Sequence, residues 1–213
     1  MTRPNYNKNR MQGVSLLEIL IATAILGIII SVAIPSMSTF GANQRLVGAA
    51  EQIHGHLQQA RSEAIARGMP VYVNFTADGT STWTYGVSTT NACTLTVTDP
   101  TAANACILVV NDGDATVDGI DGADADALPD IDTDDRVLMR YPGSDYRDIE
   151  LALAGFSSAN QIVFDPIRGT SSNGNVNLEG STGNQLRVAI SRLGRVAVCS
   201  PDGSVDAYGT CAP

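Results

Sequence analysis

The sequence predicts an α+β protein: a long N-terminal α-helix, membrane-spanning in its first half, packed against a C-terminal antiparallel β-sheet or β-sandwich domain. Three observations predict it. Residues 14–34 form an apolar run of 21 residues behind a basic flank. An apolar stripe of helical period follows. After Gly68 the period changes to that of short strands broken by Gly, Asn, Asp, Ser and Pro.

Residues 1–13 hold Arg3, Lys8 and Arg10 and no acid, so this flank is +3. The run from Val14 to Ile34 is closed by Pro35. At about 1.5 Å per residue, 21 residues reach roughly 31 Å, close to the hydrocarbon thickness of a bilayer. The basic flank places the N-terminus in the cytoplasm. A secretory signal peptide would have a shorter apolar core and a clear small-residue cleavage site. Residues 31–33 match that site poorly, and a plain signal anchor is the better of the simple alternatives. Neither accounts for Glu18, the one charge inside the run. A carboxylate at bilayer depth costs several kcal/mol unless it is paired, protonated or able to reach the interface.

Beyond Pro35, which is expected to kink or loosen the helix, Leu46, Ala50, Ile53, Leu57, Ala60 and Ala64 recur at steps of three and four. This amphipathic continuation covers 36–68 and ends at Gly68 and Pro70. Its stripe packs a globular domain against the helix. Gly41, Gly48 and Gly55 weaken it by about 1 kcal/mol each relative to Ala. His54 and His56, the only histidines, stand two apart on different sides of a helix and do not chelate one metal together.

The globular region, 69–213, shows strand-like runs at 71–75, 83–87, 106–110, 136–140, 149–153, 161–164, 186–190 and 195–199. The Ser, Gly and Asn-rich stretch 169–184 reads as a mobile loop. Four cysteines, Cys93, Cys106, Cys199 and Cys211, lie in what the membrane reading makes a translocated, oxidising environment, where disulfides are favoured. Three connectivities are available. Cys93–Cys106 and Cys199–Cys211 are preferred, because each pair is close in sequence and brackets one loop. With no CxxC and no nearby histidine, zinc is not expected.

The chain carries 13 Lys and Arg against 22 Asp and Glu, a net charge of −9. That argues against a nucleic-acid binder held by bulk charge. Ten aspartates and no Lys or Arg fall within 111–135. A solvated, self-repelling loop is the plainer reading. The alternative is a Ca²⁺ site on Asp112, Asp114, Asp118 and Asp121, since hard cations take clustered carboxylates. The frame Asp114, Thr116, Asp118, Gly119 imitates the start of an EF-hand loop, but Ala125 stands where the bidentate Glu belongs. No other cofactor is expected. No GxSxG, HExxH, P-loop or dinucleotide fingerprint is present, so no enzyme is expected.

Gly13, Val14, Ser15, Leu16, Leu17 and Glu18, after a short basic leader and before the apolar run and Pro35, resemble the class III signal of type IV prepilins and pseudopilins. The resemblance implies that 1–13 is a leader cut off between Gly13 and Val14 by the prepilin peptidase, which also methylates the new terminus. The usual residue after the cut is Phe; here it is Val14. Without the +3 leader the −9 chain becomes −12, and all but −2 of that lies in 111–135. The resemblance makes Glu18 an assembly residue, its carboxylate pairing with the Val14 amine of a neighbouring subunit inside an apolar filament, where a paired charge fixes register.

Ala60, Arg61, Ser62, Glu63, Ala64 and Ile65, followed by Arg67 and Gly68, resemble the FimT/FimU-like minor pilins and the H-type pseudopilins of type II secretion. Ser191, Arg192, Leu193, Gly194 and Arg195 resemble the same branch's SRxGR ending. The branch implies the type IV pilin fold. It also implies an inner-membrane, single-pass precursor with a periplasmic domain, bound for a pilus or periplasmic pseudopilus. The implied partners are other minor and major pilins or pseudopilins, the prepilin peptidase and the inner-membrane assembly platform. The expected function is that of a minor pilin priming or tipping a type IV pilus, in biogenesis, adhesion or motility; the alternative is a type II secretion pseudopilin. Some FimT-like proteins take up DNA through a basic C-terminal GRxR patch. Here Ala197 replaces the second Arg, leaving Arg187, Arg192 and Arg195 as phosphate-contact candidates.

Overall fold

The computed structural model describes residues 15–76, 79–109, 136–156 and 160–211, with no side-chain description for 32–38. One helix, α1 (Leu16–Arg67), is 52 residues long. It opens with Glu18 in its first turn and closes with Arg67 in its last, charges of the sign each end of the helix dipole favours. Gly68, at φ 64°, supplies the left-handed residue that ends it. Among the described residues ten strands follow: β1 (Val71–Thr76), β2 (Thr84–Ser88), β3 (Ile107–Val109), β4 (Arg136–Leu138), β5 (Arg140–Pro142), β6 (Ile149–Ala154), β7 (Gln161–Phe164), β8 (Gly174–Gly180), β9 (Gln185–Ile190) and β10 (Val196–Cys199). A one-turn 3-10 helix, Gly143–Asp145, follows β5.

The strands form two four-stranded antiparallel sheets, ordered β5-β2-β1-β7 and β10-β9-β8-β6, and a β3-β4 pair. Residues 1–41 and 42–213 are separate compact units. In the second, Leu46, Ala50, Ile53, Leu57, Ala60 and Ala64 are all fully buried, with Ala49 beside them. The predicted stripe is therefore the helix side of the core. Its alanines let strands approach closely, and Leu46 lies 3.7 Å from where a Cβ on Gly180 would sit. Burial alternates along β1 and β9 with the period of two that a one-sided sheet requires, and Val71, Val73, Phe75, Leu186, Val188 and Ile190 face inward.

Two expectations are corrected. The run 136–140 is not one strand: it breaks at Met139, whose N–H donates to Cys106 O while Val87 N–H donates to Met139 O. Residues before Met139 therefore pair with β3 and residues after it with β2. The stretch 169–184 is not a loop but carries β8, a central strand between β6 and β9. Its outward residues are Asn175, Asn177 and Glu179, and its inward ones include Val176 and Leu178, so the alternation was hidden by Asn and Gly.

An aromatic stack fills the core around β2. Trp83 lies 6.2 Å from Tyr85 and 6.4 Å from Tyr146, and Tyr85 lies 5.1 Å from Tyr141. His56 joins it from α1, stacked 3.7 Å from Tyr141 and with Nδ1 2.7 Å from the Tyr85 hydroxyl. Burial lowers the His56 pKa and raises that of Tyr85. His56 is then neutral in the fold while the unfolded chain protonates near the ordinary value of about 6.5. The unfolded state binds the extra proton, so stability falls as pH drops below about 6.5 and levels off below the folded pKa. Unfolding midpoints measured from pH 7.5 downward should show this slope, and His56→Gln should flatten it.

Candidate assembly helix and sheet-face clefts

The first half of α1 is apolar on every side. Leu16, Leu17, Ile19, Leu20, Ile21, Ile25, Leu26, Ile28, Ile29 and Ile30 are all exposed in the single chain. Its few hydroxyls turn back on the helix: Thr23 Oγ1 donates to Leu20 O at 3.0 Å and Ser31 Oγ to Ile28 O at 2.7 Å. Such back-bonding hides polar groups inside a helix meant for an apolar setting. Glu18 lies in the first turn, where Ser15 O accepts the Glu18 and Ile19 N–H groups at 3.0 and 3.2 Å.

Among the described residues no helix is long and apolar enough to cross a membrane. The expected transmembrane segment, 14–35, runs past the described residues at its start and past the described side chains at its end. The apolar stretch with described side chains, 16–31, reaches only about 24 Å, short of a bilayer's roughly 30 Å. The sequence run is longer because it adds Val14, Ser15 and residues 32–34. Gly13 and Val14, the expected processing pair, lie outside the described residues. The backbone at Pro35 is helical, but its side chain and any kink it makes also lie outside them. So do Asp112, Asp114, Asp118 and Asp121. Among the described residues no group of three or more His, Cys, Asp or Glu is placed to hold a metal.

The two disulfides close between the cysteines nearest in sequence, Cys93–Cys106 and Cys199–Cys211. The first lies against Gly86, where a Cβ would come within 2.7 Å of Cys106 Sγ, so only glycine fits there. The second fastens the C-terminal segment to the end of β10. Ser200 N–H donates to Gly209 O at 3.0 Å and Cys211 N–H to Ser200 O at 3.2 Å, and Ser200 is fully buried. Tyr208 then reaches across to α1, its hydroxyl donating to Glu51 at 2.6 Å. Burial first, then that bond and the carboxylate's charge, push the Tyr208 pKa up to about 12.

Arg187 and Arg195 line one cleft of about 660 Å³ on the outer face of β9 and β10, with Asn175, Ala189 and Thr210 also on its wall. Arg187 is partly committed, its Nε donating to Asn177 at 2.8 Å. Arg192 does not line that cleft; it sits in the β9–β10 turn, 3.4 Å from Asn173. The three arginines therefore make no single continuous patch. Sequence reasoning missed the turn-tip residues Ile167 and Leu193, which are 89% and 78% exposed. It also missed the hollows beside Glu150 and Glu179. A large apolar residue inside a Pro, Gly or Arg-rich turn was the available signal for the first. The second depends on strand register, which spacing does not show.

No curated protein matches the chain. Among solved structures it is similar to the minor pseudopilin EpsH from the Type 2 Secretion System of Vibrio cholerae, at 12% identity and a TM-score of 0.41 over 72% of this chain and 94% of that one. The prokaryotic N-terminal methylation motif matches residues 8–34, and the family described as Type II transport protein GspH matches residues 49–194. With that match covering more than half of its length, the chain belongs to the GspH family of pilin-type proteins.

Proposed function

We propose that the chain is a minor pilin that enters the inner membrane with its N-terminus in the cytoplasm, is cut between Gly13 and Val14 and methylated there, and joins a complex that primes or tips a type IV pilus. Pilin and pseudopilin families are structural components that associate in filaments, and the methylation motif together with family membership makes this a membrane-anchored periplasmic type of protein. The observation that carries the reading is the stretch of α1 from Leu16 to Ile30: its large apolar side chains are exposed, with one carboxylate in the first turn and no cover from the described residues. A filament of such helices buries that surface and gives the carboxylate a partner. A second reading, a pseudopilin of type II secretion, is favoured by the description of the matching family.

Deletion of the gene separates the two. Loss of surface pili with secretion intact is expected, and the reverse pattern selects the secretion role. Transformation scored in the same strain tests uptake of DNA. Unchanged piliation and secretion together overturn both filament readings.

A further inference from the structure

Four large apolar side chains stand out into water at one end of the 42–213 unit: Ile65, Met69, Ile167 and Leu193, 52%, 45%, 89% and 78% exposed. The fold brings them together. β1 pairs with β7 in the register Val71↔Phe164, so Met69 just before β1 and Ile167 just after β7 leave the sheet at the same end. A Cβ on Gly169 would lie 3.2 Å from Ile65 Cδ1, and a Cβ on Gly194, at φ 72°, would lie 2.0 Å from Gly169 O. The 165–169 turn therefore touches both the helix end and the 191–195 turn. Ser171 clamps the two turns, its N–H donating to Arg192 O and its hydroxyl to Ser191 O. Each turn is also closed by its own bonds. Gly169 N–H donates to Asp165 O at 3.0 Å, and Asp165 Oδ1 accepts the N–H groups of Ile167 and Arg168 at 2.9 and 3.0 Å. Gly194 N–H donates to Ser191 O at 2.9 Å and Ser191 N–H to Arg195 O at 3.0 Å. Ile167 and Leu193 are thus presented on fixed, convex tips, and a grouped apolar surface of this kind marks a contact site.

The charge around the tips is cationic. Arg168, Arg192 and Arg195 belong to the two turns and are exposed, and Arg61 Nε donates to Gly169 O at 3.0 Å. Among the described residues none of the four makes an ion pair. Arg192 Nε reaches only the Asn173 side-chain oxygen, at 3.4 Å. Asp165, the one carboxylate of the turns, is taken up by the N–H groups of its own turn, and Glu63 is paired with Arg67 at 2.7 Å. Four guanidiniums against one carboxylate leave this end at +3, on a chain whose net charge is −9. The surface it fits is anionic outside and apolar beneath. An anionic bilayer has that order, phosphates above hydrocarbon. Two turns of five residues each fall far short of the roughly 20–30 residues a side of a stable protein interface. A projecting tip also needs a matching pocket in a protein, whereas lipid closes around any convex shape. Apolar side chains at the acyl boundary with basic groups at the phosphates hold peripheral proteins on anionic lipid.

We infer that this end of the unit is a lipid-docking surface, Ile167 and Leu193 entering the headgroup region of an anionic bilayer while Arg168, Arg192 and Arg195 meet its phosphates. The contact goes beyond the filament reading and does not depend on it.

The test holds the full-length chain by its N-terminal helix in phosphatidylcholine nanodiscs and mixes it with dense vesicles. It should sediment with vesicles that contain phosphatidylglycerol and not with pure phosphatidylcholine, and less so as salt rises. Arg168→Gln, Arg192→Gln and Arg195→Gln together should weaken binding roughly a hundredfold, at about fivefold for each arginine. Ile167→Ser with Leu193→Ser should weaken it about tenfold or more. Ile167→Phe with Leu193→Phe keeps apolar tips and should bind at least as tightly, which ties binding to the tips independently of any variant that loses it. Glu150 and Glu179, directly opposite each other across β6 and β8, supply the control. They lie toward Asn43, which accepts from Thr182 and Asn184 and stands 18 residues from Arg61 on α1, about 27 Å away and beyond a Debye length. Glu150→Gln with Glu179→Gln should leave binding unchanged. Sedimentation indifferent to the anionic lipid, serine variants that bind like the native chain, or an equal loss in the control overturns the docking. So does a benzoylphenylalanine at position 193, in the chain in its native membrane, that joins a protein and no lipid on irradiation; that result assigns the surface to a protein partner.

Discussion

Trp83→Ala should lower the unfolding free energy of the globular domain by about 3–5 kcal/mol, the range for deleting a fully buried aromatic side chain. Trp83 is 2% exposed and sits between Tyr85 and Tyr146. Its indole N–H donates to Ile149 O at 2.9 Å, so the same substitution leaves a buried carbonyl without its donor. The site cannot collapse easily. Gly143 already lies so close that a Cβ there would come within 2.4 Å of the indole, and its N–H is tied to Trp83 O at 2.8 Å. Backbone thus fixes the cavity wall on that side. Trp83→Phe keeps most of the volume and loses the hydrogen bond, and should cost much less than the alanine change. Urea unfolding of the two variants with disulfides intact measures both. A loss below about 1 kcal/mol for Trp83→Ala would show that the stack is not a principal part of the core.

The stripe from Leu46 to Ala64 was legible because helical period is a local property and every position in it is buried by the same sheets. Seven of the expected strand runs were legible as single strands because each holds a short run of Val, Ile, Leu, Phe or Tyr, set at alternate buried positions most clearly in β1 and β9. β8 escaped because its signal is two apolar residues, Val176 and Leu178, set among Asn and Gly, whose composition is that of a loop. What makes it a strand is its two neighbours, and pairing partners are not written locally. Met139 escaped likewise: the run reads as one strand, and only the change of partner from Cys106 to Val87 divides it. At the site the balance is similar. The lone Glu18 in an apolar run and the cysteines bracketing short loops are one-dimensional patterns. The opposition of Glu150 and Glu179, and the clamping of the 165–169 turn on the 191–195 turn, arise from register between distant segments.

Glu18→Ala should reduce incorporation of the full-length chain into sheared surface fibres by roughly a hundredfold or more, with the precursor still made and still present in the membrane. Leu16, Leu17, Ile19, Leu20 and Ile21 are all exposed in the isolated chain, so any assembly that covers them places Glu18 in apolar surroundings too. A carboxylate in that position is costly unless a cation meets it. The cation proposed here is the α-amino group that processing creates on Val14 of a neighbouring subunit. Removing one partner of such a pair strands the other, at about 3–5 kcal/mol, and each 1.4 kcal/mol is a factor of ten. Glu18→Ala leaves the amine buried and unpaired at every contact, which is why the effect should be large although the helix itself gains propensity from alanine. Glu18→Gln keeps the shape and the hydrogen-bonding oxygen and removes only the charge, so it should fail almost as badly if charge pairing is the cause. Glu18→Asp keeps the charge on a shorter stem and should fall between Gln and the native residue. Quantitative immunoblots of sheared fibres and of membranes, with the mature N-terminus checked by mass spectrometry, give the ratio. Normal incorporation of the alanine variant would remove the pairing role from Glu18. Failure of Ala with full activity of Gln would assign the residue a packing or hydrogen-bonding role in place of an electrostatic one.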